Sequence, residues 1–147
     1  MTFIALLLVA FLDPFTAQVV SVHDGDTITV RSDQTYKIRL YGIDAPELKQ
    51  PYGQSAKHAL SEMTFGKSVN VIPTGKDRYG RVVAKVESDG VNVNRAMVEQ
   101  GAAWWYTAYA KGSFDLQNAQ SKAQAEKIGL WAEGNAIAPW DYRKKGK

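Results

Sequence analysis

Asp24 and Asp26 flank Gly25 in a tight turn, and a second acidic pair, Asp44 and Glu47, brackets Ala45-Pro46. Arg39 stands just before the second pair, and Arg81 closes a basic cluster that begins at Arg78. Carboxylates repel a phosphate unless a hard cation lies between them. Acids and arginines meeting in one place therefore suit a phosphodiester, held by an oxygen-bound metal and guanidinium clamps. In-line attack on such a bond piles negative charge on the nonbridging oxygens, so stabilisation must come from positive groups already in position. The planar fork of arginine matches two phosphate oxygens, which lysine cannot do.

Each motif also has a plainer reading when taken singly. Asp-Gly-Asp satisfies turn geometry without help. Asp44 to Glu47 places acids where a helix start would favour them, and Arg78-Tyr79-Gly80-Arg81 reads as a solvated hairpin. His23 and His58 have no second His or Cys at zinc spacing. His58, beside Lys57 on a predicted helix, reads as facing solvent, and His23 as a turn residue. Trp104-Trp105-Tyr106 suits core packing or a base-stacking platform. The basic residues from Arg143 to Lys147 read as a solvated tail.

The elements that must carry these residues follow from periodicity. Val20, Val22 and Thr27 to Val30 alternate around the His23-Asp24-Gly25 turn as two strands, and Tyr36 to Tyr41 is a third. Ala56, Ala59, Leu60 and Met63 form the stripe of an amphipathic helix ended by Gly66. Val69 to Ile72 and Val82 to Val86 give a fourth and fifth strand, the latter turning through Ser88-Asp89-Gly90 into Val91. Helices are expected from about Val93 to Gln100 and from about Phe114 to Lys127, ended by Gly101 and Gly129. This order gives the α+β class, and five short strands suit a small closed OB-type barrel.

Side chains two apart on a strand share a face. Asp26 has the parity of inward Ile28 and Val30, and Asp44 follows Ile38, Leu40 and Gly42, so both acids belong just past an inward row, where a barrel opens. Arg39 and Arg81 have the opposite parity from Leu40 and Val82. A bend, near Gly42 and Gly80, is needed to bring them to the acids.

At 147 residues the chain makes one domain able to bury a core. Its apolar share of 45% and charged share of 22% exclude disorder, and a net charge of +3 gives a mild preference for polyanions. It has no cysteine, which removes disulfides and thiolate metal sites. Phe3 to Leu12 is too short to span a bilayer and fits the core of a secretory signal, although no Lys or Arg lies near Met1 and Phe15-Thr16-Ala17 is a poor cleavage site. The expectation is a leader over residues 1–17, one folded domain over 18–147, and a secreted or periplasmic location.

Val22-His23-Asp24-Gly25-Asp26-Thr27, Ile38 to Glu47, Asp77-Arg78-Tyr79-Gly80-Arg81 and Gly129-Leu130-Trp131 resemble the signature segments of the staphylococcal nuclease (thermonuclease) family in order and spacing. The resemblance runs from about Val19 to Glu133. It implies a five-stranded OB barrel with three helices, and a calcium-dependent endonuclease that cuts DNA and RNA, preferably single-stranded, to 3'-phosphate products. The protein would be a monomer with no stable protein partner. A rival from another class is an OB-fold module that binds single-stranded nucleic acid and has little catalytic power.

Carried over by motif position, the resemblance makes Asp26 and Asp44 the carboxylate ligands of Ca²⁺, with the backbone carbonyl of Ala45 as a third protein ligand. Asp24 would hold a metal-bound water. Glu47 would orient or deprotonate the attacking water, and Arg39 and Arg81 would grip the scissile phosphate. Arg78, Tyr79 and Tyr109 would bind the substrate's terminal phosphate and nucleotide. Two positions depart from the best-known member: Ala45 and Thr107 stand where it has threonine and tyrosine.

Overall fold

The computed structural model describes residues 12–146. Its first three strands, β1 (Phe15–Asp24), β2 (Thr27–Arg31) and β3 (Thr35–Leu40), form the expected antiparallel meander. β4 is the short Ile43–Asp44 segment, and β5 (Ser68–Lys76) and β6 (Val82–Ser88) form a hairpin. β5 pairs with β1, and β3 pairs in parallel with β6, so the sheet order β3-β2-β1-β5-β6 closes on itself. Closure removes the exposed edges, and the expected five-stranded barrel is found. β7 (Val91–Asn92) extends β6, and β8 (Trp104–Trp105) pairs with β4.

Alternation fills the barrel. Val19, Ile28, Val30, Ile38, Leu40, Val69, Val71 and Val86 are all buried and share one cluster. Helix α1 (Gly53–Thr64) turns Ala56 and Leu60 to that core, and its chain leaves through Gly66 at φ 77°. Helix α2 (Val93–Glu99) is capped by the Asn92 side chain, which accepts the Arg95 N–H. Helix α3 (Phe114–Glu126) buries Leu116, Ala119 and Ala123, and is followed by a 3-10 turn at Gly129–Trp131.

A fourth helix, α4 (Pro139–Lys145), stands where sequence reasoning placed a solvated tail. Seven residues are too few to display an apolar stripe, so periodicity missed it. Its end signals are nonetheless present: Pro139 in the first turn, Asp141 near the positive end, and Arg143, Lys144 and Lys145 in the last turn.

Of the apolar run assigned to a leader, only Leu12 lies within the described residues, where it packs against the core. Phe15, Thr16 and Ala17 belong to β1 and pair with Val71, Asn70 and Val69.

Candidate active site

Asp26 ends the β1–β2 turn and is 6% exposed. Its Oδ1 accepts the Thr27 hydroxyl at 3.0 Å, and its Oδ2 accepts the Ala45 N–H at 2.8 Å. The second bond ties the two acidic motifs together. Glycine is required for it, because a Cβ on Gly25 would lie 2.6 Å from that of Ala45 and 2.8 Å from that of Ala56. Asp24 Oδ1 accepts the Asp26 N–H at 3.0 Å, which places a third carboxylate beside the first.

Asp44 lies on β4, paired with Trp104 of β8, and is 1% exposed. Arg39 reaches both buried acids: its Nη2 is 3.6 Å from Asp26 Oδ2 and 3.6 Å from Asp44 Oδ1. Strand parity alone does not put it there. Gly42, at φ 79°, reverses the chain so that the carbonyl of Ile43 comes under the guanidinium, and Arg39 Nη1 donates to the carbonyls of Leu40 and Ile43 at 2.9 Å each. The expected bend near Gly42 is thus the device that delivers Arg39. Buried Asn94 braces it, donating to the carbonyls of Tyr41 and Ala84 while accepting the Val86 N–H.

Arg81 stands apart from the acids. Its Nε donates to Asp77 Oδ2 at 2.6 Å, and its backbone N–H donates to Asp77 Oδ1 at 3.0 Å. It directly precedes Val82, the first residue of β6 in the β3–β6 ladder, and lies two residues before Val83, the partner of Arg39. Gly80, at φ 85°, bends the chain as anticipated, but the bend turns Arg81 to Asp77 and not to the acids. Burial alone would raise the Asp77 pKa, but the Arg81 N–H, the Arg81 guanidinium and the Tyr79 N–H together pull it below its ordinary value.

The rim is aromatic and basic. Tyr79 and Tyr109 are about seven-tenths exposed, Arg78 Nη2 donates to the Tyr79 hydroxyl at 3.0 Å, and Tyr109 sets its edge on Tyr106 at 4.8 Å. The Trp cluster is half-buried: Trp104 contacts Trp131 and Trp140 edge to face, Trp105 packs against the core, and the Trp105 ring N–H donates to the Ala110 carbonyl. His58 is exposed and faces Glu62, while His23 Nε2 lies 2.6 Å from the Thr29 hydroxyl. Neither histidine belongs to the acid cluster.

Glu47 sits at the mouth. Its backbone N–H donates to Gln50 Oε1 at 3.0 Å, and burial raises its carboxyl pKa, with Arg143 opposing and the charges of Asp26 and Asp44 adding to the rise. Asp24 is pushed to about 7 by burial and then by the charge of Asp26. Burial also raises Asp44 despite its guanidinium neighbours.

Two residues here escaped sequence reasoning. Arg143 of α4 grips Asp44 with both arms, Nη2 to Oδ2 at 2.7 Å and Nη1 to Oδ1 at 3.2 Å, and its Nη1 lies 3.7 Å from Glu47 Oε2. Gln50, 5% exposed, holds the Glu47 N–H while donating through Nε2 to the Ile137 carbonyl. A lone arginine in a basic tail carries no signal of its target.

Among the described residues no group of three or more His, Cys, Asp or Glu side chains is arranged to hold an ion. The donors present are two buried carboxylates, which is hard-cation chemistry. Asp26 and Asp44 point at one shared place, since a single nitrogen of Arg39 is equidistant from both. The residues therefore fit a divalent cation bound by few protein ligands.

A model described as staphylococcal nuclease homologue matches residues 37–133. The chain is 44% identical over 134 residues to an uncharacterized endonuclease of Haemophilus influenzae, covering 90% of this chain and 75% of that protein. It is 36% identical over 144 residues to a micrococcal nuclease of Shigella flexneri, covering 90% and 83%. A probable staphylococcal-like nuclease of Oryza sativa is 46% identical over 109 residues, 74% of this chain and 33% of that longer protein. With the barrel and the acid-arginine mouth already in place, these matches show that the chain belongs to the staphylococcal nuclease homologue family, whose general chemistry is phosphodiester cleavage in nucleic acid.

Proposed function

We propose that the protein is a calcium-dependent endonuclease acting on DNA and RNA, with single strands preferred and 3'-phosphate ends as products. The observation that carries the reading is the placing of one Arg39 nitrogen 3.6 Å from both Asp26 and Asp44. Two carboxylates and a guanidinium thus converge at the mouth of the barrel, with Glu47 beside them.

Asp26, Asp44 and the Ala45 carbonyl would hold the ion, which when bound neutralises phosphate charge and orients water. Arg39, anchored by Nη1 on two carbonyls, holds Nη2 between the two acids, from where it is placed to meet a phosphate oxygen. Glu47, held through its backbone by Gln50 and raised in pKa, is suited to take a proton from the attacking water. Arg81 meets the phosphate once it exchanges Asp77 for substrate. Arg78, Tyr79 and Tyr109 give the exposed cationic and aromatic surface that a flexible strand requires.

Digestion of single-stranded DNA and of RNA, with calcium and with chelator, tests the reading, and end-group analysis of the fragments reads the product. Calcium-dependent cleavage leaving 3'-phosphates is expected, lost in Glu47→Gln and Arg39→Ala. Undiminished cleavage in chelator, or in both variants, would overturn it.

A further inference from the structure

We infer that α4 is a latch on the acidic mouth, with Arg143 competing with a divalent cation for the carboxylate of Asp44. The inference rests on the metal reading above.

Asp44 has two carboxylate oxygens, and both are taken by Arg143. A calcium ligand must bring oxygen to about 2.3–2.6 Å from the ion. A guanidinium with one arm on each of these oxygens takes the two-oxygen face of the carboxylate, and its positive charge repels an ion bound to the same group. An arginine cannot give up its proton to relieve this repulsion, so the ion and Arg143 compete for Asp44. Glu47 is drawn into the same contact, since Arg143 Nη1 lies 3.7 Å from it.

The approach of α4 is built into the fold. The Ile137 carbonyl, just ahead of the helix, accepts from Gln50, the same side chain that holds the Glu47 backbone. Trp140, one turn before Arg143, stacks on Tyr106 with rings 5.3 Å apart and only 3° from parallel, and meets Trp104 edge-on at 5.5 Å. Trp104 is itself the strand partner of Asp44. The helix is thus seated through three contacts on the segments that carry the acids. It remains short, with only Pro139 fully buried, so Arg143 can withdraw without unfolding the barrel. Arg143 also lies beyond residues 37–133, the span matched by the family model.

The test is calorimetric titration of calcium into the metal-free full chain and into Arg143→Gln and Arg143→Lys, each checked for folding by circular dichroism. Arg143→Gln is expected to bind calcium about tenfold more tightly or better, a gain of ~1.4 kcal/mol, and Arg143→Lys to fall between it and the parent. A merely structural role for Arg143 would weaken binding on its removal, the opposite sign. Equal or weaker affinity in the variants, with binding retained, overturns the latch and leaves the metal reading standing. No binding by any of the three overturns both. Should Arg143→Gln not fold, the lysine variant decides alone, by a clear gain or its absence.

Discussion

A Cβ added to Gly25 would lie 2.6 Å from the Cβ of Ala45, so the first acidic turn rests directly on the backbone that follows Asp44. This contact converts two motifs distant in sequence into one site, because it lets Asp26 accept the Ala45 N–H. Gly25→Ala is expected to lose about 1–3 kcal/mol through overpacking against Ala45 and Ala56, and to lose calcium affinity with it. Gly112→Ala, where nothing lies within 4 Å, serves as the control and should change little. Thermal melts with calorimetry of both variants give the comparison, and a Gly25→Ala protein as stable as the parent would contradict it.

Arg39 does two things at once that a single point charge cannot. One arm is fixed on the carbonyls of Leu40 and Ile43, and the other faces both buried acids. Lysine offers one point charge in place of this fork. Arg39→Lys should therefore keep the fold and lower turnover on the order of 10²-fold or more, measured as kcat on single-stranded DNA with calcium saturating. Near-parental turnover would show that only the charge matters.

The barrel was legible because alternation is a strong signal: Ile28, Val30, Ile38 and Leu40 occupy the interior that their spacing indicates. Asp26 and Asp44 at the ends of inward rows were legible for the same reason. Parity alone pointed Arg39 away from the acids; its meeting with them depends on the positive φ of Gly42 and on carbonyls that strand periodicity does not describe. Arg143 was illegible altogether. Its partner lies 99 residues away, and the helix that carries it has too few turns for a periodic pattern.

Asp77 gives a pH dependence of definite sign. Its carboxyl pKa is held below the ordinary value, burial being outweighed by the Arg81 and Tyr79 donors. A carboxyl depressed on folding contributes stability that is fully present above the unfolded value of about 3.9 and is lost as pH falls through the folded one. Asp77→Asn should therefore be about 1 kcal/mol less stable than the parent at pH 7, with the gap closing as pH drops below about 4. Urea melts of the pair across that range measure it. A gap independent of pH would mean that the carboxylate charge contributes nothing.

The amino-terminal boundary is testable through stability. Phe15, Thr16 and Ala17 are rungs of the β1–β5 ladder, the Phe15 ring lies 5.1 Å from that of Tyr36, and Ala17 is 4% exposed. A chain beginning at Gln18 forfeits these pairings and opens one side of the barrel, whereas a chain beginning at Leu12 keeps them. Losing the Phe15 ring and the Ala17 methyl from the core costs about 2–4 kcal/mol. The shorter chain should therefore melt roughly 5–15 °C below the longer one, taking about 4 °C or less per kcal/mol for a domain of this size. Equal melting temperatures would mean that β1 begins, energetically, at Gln18, and that a leader ending at Ala17 could be removed without cost to the fold.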